Sequence, residues 1–365
     1  MDERTAQVLA CPTCHGEFQR HRIRRQDGQI ASGRLVCEGC EVEFPIVQGR
    51  PLLVPPGAPQ QWMTPMDEVL GWEGPPRNEE RIFEWIAQNG VDEAIRRAQV
   101  WAAQSDEPVP RPEGGKIAAT AVSSTLRNKA RYRMSGRWFQ TVRTDVGISD
   151  GVNLRSWALE YPRTPIPDSA EDRQALDEVA YQVGQLRPQR VLDIATGGGH
   201  CVSRTLANLP AFDLAVAIDR DQVDTMWSVQ YKFSHLGLTP RAESIGGDAR
   251  ALPLRSEAFD VATCHGGFYE VAGVTRMLAE AYRVLRPSGR LVLTGACREH
   301  RILDHPDLHE PHGLSLTDVC RFIEAADLHH LDLDQFHARV ATVGFEQESM
   351  RLYDDGEYFV AALRK

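Results

Sequence analysis

A chain of 365 residues exceeds one average domain and suggests two or three. Its 42% hydrophobic and 25% charged content is that of an ordinary globular protein, and a net charge of −10 argues against a protein that coats nucleic acid. No apolar run reaches the length of a membrane span, and Met1-Asp2-Glu3-Arg4 lacks a leader's basic and apolar regions, so a cytoplasmic protein is expected.

The first segment is rich in cysteine. Cys11-Pro12-Thr13-Cys14 and Cys37-Glu38-Gly39-Cys40 are two pairs with the spacing of a four-thiolate site. Cys11, Cys14, Cys37 and Cys40 are therefore the expected ligands of a structural Zn2+. Residues 16–36 between the pairs suit a β-hairpin. Phe44-Pro45-Ile46-Val47-Gln48-Gly49-Arg50-Pro51-Leu52-Leu53 adds an edge strand and a turn. About 55 residues bury little core, so metal binding would supply stability on the order of 10 kcal/mol. With its two cysteine pairs and its Phe-Pro-Ile…Gly-x-Pro-Leu-Leu tail, the segment resembles the zinc-ribbon family of the eukaryotic tRNA-methyltransferase activator. The other cysteines, Cys201, Cys264, Cys297 and Cys320, stand singly and read as small buried apolar residues.

Residues 1–56 are taken as the ribbon domain and 57–167 as a mainly helical linker or substrate cap. Pro55-Pro56-Gly57-Ala58-Pro59 is a linker. Thr64-Pro65 before Asp67 and Glu68 reads as a helix start. Asn78 caps a second helix with a stripe of Ile82, Phe83, Trp85 and Ile86, which Gly90 ends. Residues 91–104 continue with Ile95, Ala98 and Trp101 at helical spacing, and 105–115 form a loop. Residues 116–143 are the most basic stretch, with Arg127, Lys129, Arg131, Arg133, Arg137 and Arg143 among Tyr132, Trp138 and Phe139. Such interleaving serves a solvated helix face, a single-stranded nucleic acid or an anionic substrate. Arg155, Trp157, Glu160 and Tyr161 are candidate pocket walls.

Residues 168–365 carry the main pattern. A helix from Asp168 to about Leu186 buries Ala175, Leu176, Val179, Ala180 and Val183. Val191 to Ile194 reads as a buried parallel strand, followed at once by Ala195-Thr196-Gly197-Gly198-Gly199 and a helix over 202–209. Strand, glycine turn and helix form the nucleotide-cradling unit of a doubly wound α/β sheet. Leu214 to Asp219 is a second strand ending in an acid. Gly246-Gly247-Asp248-Ala249-Arg250-Ala251-Leu252-Pro253-Leu254 is a third strand end and its loop. Phe259 to His265 is a fourth strand, and Gly266-Gly267-Phe268-Tyr269-Glu270 is the loop after it. A helix over 274–285, a turn at 286–290 and a strand over 291–294 follow. Residues 315–326 read as a helix. Val340 to Val343 with Gly344-Phe345, and Tyr358 to Leu363, are expected as an antiparallel strand pair.

The acid-then-glycine pattern of Asp193, Ala195, Gly197 and Gly199 resembles the first motif of the class I S-adenosylmethionine (SAM) methyltransferases, with Ala195 where the strict pattern has glycine. Arg283-Val284-Leu285-Arg286-Pro287-Ser288-Gly289-Arg290-Leu291 resembles the ubiquinone and menaquinone biosynthesis methyltransferases. The resemblance implies a seven-stranded Rossmann-like methyltransferase sheet. It implies SAM contacts from Asp193, Ala195, Thr196, Gly197 and Gly199, and from Asp219 and Arg220 near the ribose. Asp248 would accept from the adenine amine and Ala249 would offer its N–H. Cys264 and His265 would stand near the donor.

The expected reaction is methyl transfer from SAM to an oxygen or nitrogen of a small metabolite. His265 is the first candidate base, because imidazole titrates in the useful range. Tyr269 and Glu270 are candidate substrate positioners. His300, His305, His309 and His312 crowd one loop, read as metal, substrate contact or plain surface. The alternatives are a ribosomal RNA guanine methyltransferase, which also couples a four-cysteine ribbon to this fold, and a non-catalytic SAM-binding scaffold. A small-molecule partner is expected ahead of RNA, with no membrane partner; the oligomeric state stays open, a homodimer included.

Overall fold

The computed structural model describes residues 1–47, 49–55, 79–105, 170–220, 229–230, 232–234, 236–267, 273–296, 310–326, 333–353 and 358–365. Ribbon elements come first: α1 (Glu3–Val8), β1 (Phe18–Gln26), β2 (Gln29–Cys37), β3 (Glu43–Val47) and β4 (Arg50–Pro51). Asp2 caps α1 by accepting from the Arg4 N–H at 2.9 Å. The four strands pair in sequence order, all antiparallel, with Phe18 opposite Cys37 and Leu35 opposite Phe44. Two helices follow, α2 (Glu79–Asn89) and α3 (Val91–Ser105), separated at Gly90 as its position requires.

The larger unit comprises α4 (Ala170–Leu186), β5 (Arg190–Ile194), α5 (His200–Ala207), β6 (Leu214–Asp219), β7 (Ala242–Gly246), β8 (Phe259–His265), α6 (Val274–Val284), β9 (Leu285–Ala296), α7 (Leu316–Ala326), α8 (Leu333–Val343), β10 (Glu346–Tyr353) and β11 (Tyr358–Arg364). Seven strands make one sheet in the order β10-β11-β9-β8-β5-β6-β7. Strands β5 to β9 pair parallel, and β11 lies antiparallel to both β9 and β10. From β5 the chain winds outward to β7, then returns to the other side as β8. That reversal beside β5 is a topological switch point, where the carboxyl ends of such strands open a crevice.

Alternation along the strands explains the layers. Val191, Ala215 and Ala217 face Ala175, Leu176, Val179 and Val183 of α4 and Cys201, Val202 and Leu206 of α5. Leu192, Ile194, Val216 and Ile218 face the other way. They join Met277, Leu278 and Ala281 of α6, Phe336 and Val340 of α8, and the ribbon's Val8, Leu9, Ile30, Leu35 and Phe44. Ribbon and sheet thus share one apolar cluster, in which each fully buried large side chain contributes about 1.5–3 kcal/mol.

Backbone pairing reinforces that contact. Leu52 forms a parallel bridge with Gly246 at the end of β7, and the Leu53 N–H donates to the Gly246 carbonyl at 2.9 Å. Leu9 bridges Leu254, Ala10 N–H donates to Pro253 O at 3.0 Å, and Arg255 N–H to Val8 O at 2.8 Å. Glu243 of β7, almost fully buried, accepts from the Asp2 N–H at 2.8 Å and lies 3.6 Å from the Met1 ammonium.

The structure revises three expectations. Residues 340–343 end helix α8, and the strand begins at Glu346. The β-branched run Val340-Ala341-Thr342-Val343 suggests a strand, but Phe336 and Val340, four apart, bury one helix face, and Gly344 at φ +99° stops it. The turn expected at 286–290 is an irregularity inside β9, between the pairs Phe259–Leu285 and Val261–Arg290. The helix after the glycine turn starts at His200 rather than 202.

No helix among the described residues is long and apolar enough to cross a membrane. The basic stretch 116–143, the candidate walls at 155–161 and His300, His305 and His309 lie outside the described residues.

Candidate functional site

The carboxyl ends of β5, β6 and β7 lie side by side, with Ile194 opposite Ile218 and Asp219 opposite Gly246. The described residues that follow those three strands are thereby placed along one edge. The turn after β5 is held by the Thr196 N–H donating to Ile218 O at 3.0 Å and the Gly197 N–H donating to Asp219 Oδ2 at 2.8 Å. Gly197 and Gly199 have φ of +47° and +74°, a region glycine enters without strain. Ala195 is also left-handed, at φ +52°.

The turn has a tight side and an open one. A Cβ at Gly199 would meet Val229 Cγ2 at 2.8 Å, so this glycine lets the chain pack on the helical residues 229–230 and 232–234. A Cβ at Gly197 would meet nothing within 4 Å among the described residues. Space above Gly197, with α5 beginning at His200, gives a ligand room against the backbone.

Asp193, 1% exposed, points inward. Its Oδ1 accepts from Thr263 Oγ1 at 2.5 Å, and burial pushes its carboxyl up to about 6. It fastens β5 to β8 at the switch point, and Thr263, unnoticed in the sequence, is the partner. Asp219, at the strand tip, is less buried and offers its carboxylate to the turn.

Asp248 is 3% exposed and engaged from its own loop. Arg250 donates Nε to Oδ1 at 3.1 Å, Nη2 to Oδ2 at 2.9 Å and its backbone N–H to Oδ1 at 2.9 Å. Burial alone would raise this carboxyl. The Arg250 guanidinium, with a weaker contribution from Arg220, holds it below the usual carboxylate range instead. Ala249 is buried beside it.

At the end of β8, Cys264 is buried and its thiol is pushed up by burial. His265 Nδ1 pairs with Thr294 Oγ1 at 2.9 Å, and the Gly266 N–H donates to the same oxygen at 3.2 Å. Burial holds His265 down to about 4, so the imidazole is neutral at pH 7 and titrates below the range that sequence reasoning assumed. Tyr269 and Glu270 lie outside the described residues.

Two further groups meet the turn. Lys232, 1% exposed, donates its Nζ to the Gly198 carbonyl, and burial brings its ammonium down to about 7. His200 is pushed far down by burial first, then by Lys232 and His265. A lysine between Val229 and Phe233, both buried, was the available signal.

The four ribbon cysteines bring their Sγ atoms within 4.8 Å of one another. Cys14 and Cys37 lie 3.3 Å apart and Cys11 and Cys40 3.5 Å. Burial pushes the Cys11 thiol up and the Cys40 thiol to about 11, while for Cys14 burial is outweighed by hydrogen bonds from the Gly16 N–H and the neighbouring thiols, which bring it down; a dication would favour the thiolate at all four. A Cβ at Gly16 would stand 3.0 Å from Cys37 Sγ, so glycine leaves the sulfurs room.

Residues 192–293 match the family described as methyltransferase domain, and residues 2–49 match the Trm112p-like proteins. A ubiquinone/menaquinone biosynthesis C-methyltransferase of Dinoroseobacter shibae is 31% identical over 230 residues, 58% of this chain and 89% of that protein. A demethylmenaquinone methyltransferase of Deinococcus radiodurans is 39% identical over 107 residues, 29% of this chain and 42% of its own length. Among solved structures, a SAM-dependent methyltransferase from Aquifex aeolicus aligns with 57% of this chain and 97% of its own, at 18% identity and a TM-score of 0.41.

Proposed function

The chain belongs to the SAM-dependent methyltransferases related to the ubiquinone/menaquinone biosynthesis enzymes, and from that membership we propose that it methylates a small hydroxylated aromatic acceptor. The observation that supports the reading is the shared edge of β5, β6 and β7, with open space above Gly197 and two carboxylates beside it. In this reading Asp193, Ala195, Thr196, Gly197 and Gly199 shape the cradle for the methionine part. Asp219 and Arg220 attend the ribose, where a carboxylate's two acceptor oxygens suit a vicinal diol. Asp248 and Ala249 attend the adenine, and Cys264 and His265 border the reacting end.

SAM supplies an activated methyl on a sulfonium. The chain's task is alignment and exclusion of water, which supplies about 7–11 kcal/mol of the barrier in well-oriented reactions. A neutral His265, its ring fixed by Thr294, orients the acceptor's hydroxyl by a hydrogen bond. A phenol that has given its hydroxyl proton to solvent before enclosure is nucleophilic at oxygen and at the adjacent ring carbon, and after attack from carbon the ring C–H proton leaves to solvent as the aromatic or quinol system is restored. That chemistry reconciles the oxygen acceptor expected from the sequence with the C-methylation named for the relative from D. shibae. Nitrogen acceptors are the less favoured option.

We also propose that Cys11, Cys14, Cys37 and Cys40 hold one structural Zn2+. The chain then divides into a ribbon at 1–56, a cap at 57–167 and the SAM-binding unit at 168–365.

The test is a panel of quinols, catechols and phenols with SAM labelled with 13C at the methyl. Release of S-adenosylhomocysteine with a new C-methyl or O-methyl signal supports the proposal. No turnover across the panel, with salt-sensitive uptake of RNA, would favour the guanine methyltransferase alternative. SAM binding with no turnover on either class would favour a scaffold.

A further inference from the structure

We propose that Arg250 is a positioning residue that keeps the adenine-facing Asp248 ionised, so that this acid reads the adenine amine at every pH the protein meets. The inference rests on the proposed adenine role of Asp248 and adds a residue and a specificity rule to it. The geometry comes first. Asp248 is 3% exposed, and a buried carboxyl without a counter-charge takes up a proton. Arg250 meets it as a two-pronged fork, Nε on Oδ1 and Nη2 on Oδ2, and adds its backbone N–H to Oδ1. Among the described residues, those three bonds leave Oδ2 with one of its two acceptor directions uncommitted. A carboxylate so held has a direction left for one amine hydrogen and none to give.

The surroundings place the control in Arg250. The Arg220 guanidinium at the end of β6 adds a weaker charge effect on Asp248 than Arg250 does. From α6, Glu280 is committed to the Leu252 N–H and to Arg283, which itself donates to the Leu252 and Leu254 carbonyls. The fork of Arg250 is therefore the direct counter-charge.

The chemical consequence is a choice between bases. Adenine presents an amine, a donor, at its six-position. Hypoxanthine presents a carbonyl, an acceptor, in the same place. An ionised Asp248 accepts from the first and repels the second. A protonated Asp248 would donate to the second and lose its preference.

The experiment is calorimetry of the full chain with S-adenosylhomocysteine and S-inosylhomocysteine at about pH 5.5 and pH 8. The wild-type chain should prefer the adenosyl compound at both pH values, and its preference over the inosyl compound, a ratio in which the titrations of Asp193 and Lys232 cancel, should change by less than about threefold between them. Arg250→Gln should lose about tenfold or more adenosyl affinity beyond any loss in the wild type on going to pH 5.5, and its preference over the inosyl compound should fall with it. Arg250→Lys, which keeps the charge without the fork, should fall between the two. An Arg250→Gln profile superimposable on that of the wild type overturns the proposal. If that variant does not fold, the wild-type chain still decides: loss of adenine preference at pH 5.5 overturns it, and retention supports it. Asp248→Asn separates the two layers. Unchanged S-adenosylhomocysteine affinity in Asp248→Asn overturns the adenine role itself. Lost affinity there, with a flat Arg250→Gln profile, overturns the counter-ion role alone.

Discussion

The Gly197 N–H donates to Asp219 Oδ2 at 2.8 Å, so the acid that ends β6 pins the turn that follows β5. One carboxylate then serves both the turn and, as proposed, the ribose. Asp219→Asn keeps an oxygen for the Gly197 N–H, whereas Asp219→Ala removes both functions. Calorimetry with S-adenosylhomocysteine should show about tenfold weaker binding for Asn and about 100-fold for Ala. Equal losses for the two would mean that the turn does not depend on this bond.

Ala195 and Gly267 form a second coupled pair. Ala195 sits at φ +52°, and a Cβ built on Gly267 would stand 2.4 Å from the Ala195 Cβ. Ala195→Gly relieves a left-handed alanine and should raise stability by about 0.5–1 kcal/mol. Gly267→Ala alone should lower it by about 1–3 kcal/mol through overlap with that methyl. Combined, the two should cost less than their sum, because the methyl that is struck has gone. Urea unfolding of the four proteins measures the coupling. Strict additivity would show that the loop after β8 shifts to avoid the contact.

Lys232 makes stability depend on pH. Its folded value is lowered from 10.5 to about 7 by burial. Between pH 7 and pH 10 the unfolded chain holds a proton there that the folded chain has released. Stability contributed by this group therefore rises with pH across that window, by a few kcal/mol at most. Lys232→Met removes the dependence while keeping most of the volume. Urea midpoints at pH 7 and 9.5 should rise more in the wild type than in the variant. Parallel changes would place the ammonium in water.

His265 should matter to turnover without a titration near neutrality. Burial holds it at about 4, so His265 should contribute no limb to kcat/KM near the ordinary imidazole value. His265→Ala should leave S-adenosylhomocysteine affinity within about threefold and lower kcat by about 100-fold. A wild-type limb near pH 6.5 that vanishes in the variant would restore the role of general base.

Much of this was legible in the chain. The apolar runs of β5 and β6 and the glycines after Ile194 mark a buried parallel pair and its turn, because few other residues permit those backbone angles. The cysteine pairs mark the thiol cluster for the same reason of spacing. Long-range relations were hidden. Thr263 lies 70 positions from Asp193, and nothing local links them. Arg250 is only two residues from Asp248, yet a charged side chain in a loop reads as solvated until burial of its partner is known. Lys232 looks like any surface lysine until Val229 and Phe233 are seen to be enclosed. The strand misplaced at 340–345 reflects β-branched residues whose preference yielded to the packing of Phe336 and Val340.

The bridge from Leu52 to Gly246 has one more effect. Strand β7 is the last of its sheet, and an uncovered final strand offers free N–H and C=O groups to any neighbouring chain. Here the ribbon's tail occupies part of that border. Loss of the Zn2+ proposed for the thiol cluster would thus do more than loosen a small appendage: it would bare a sticky rim, and the damaged molecules would begin to clump.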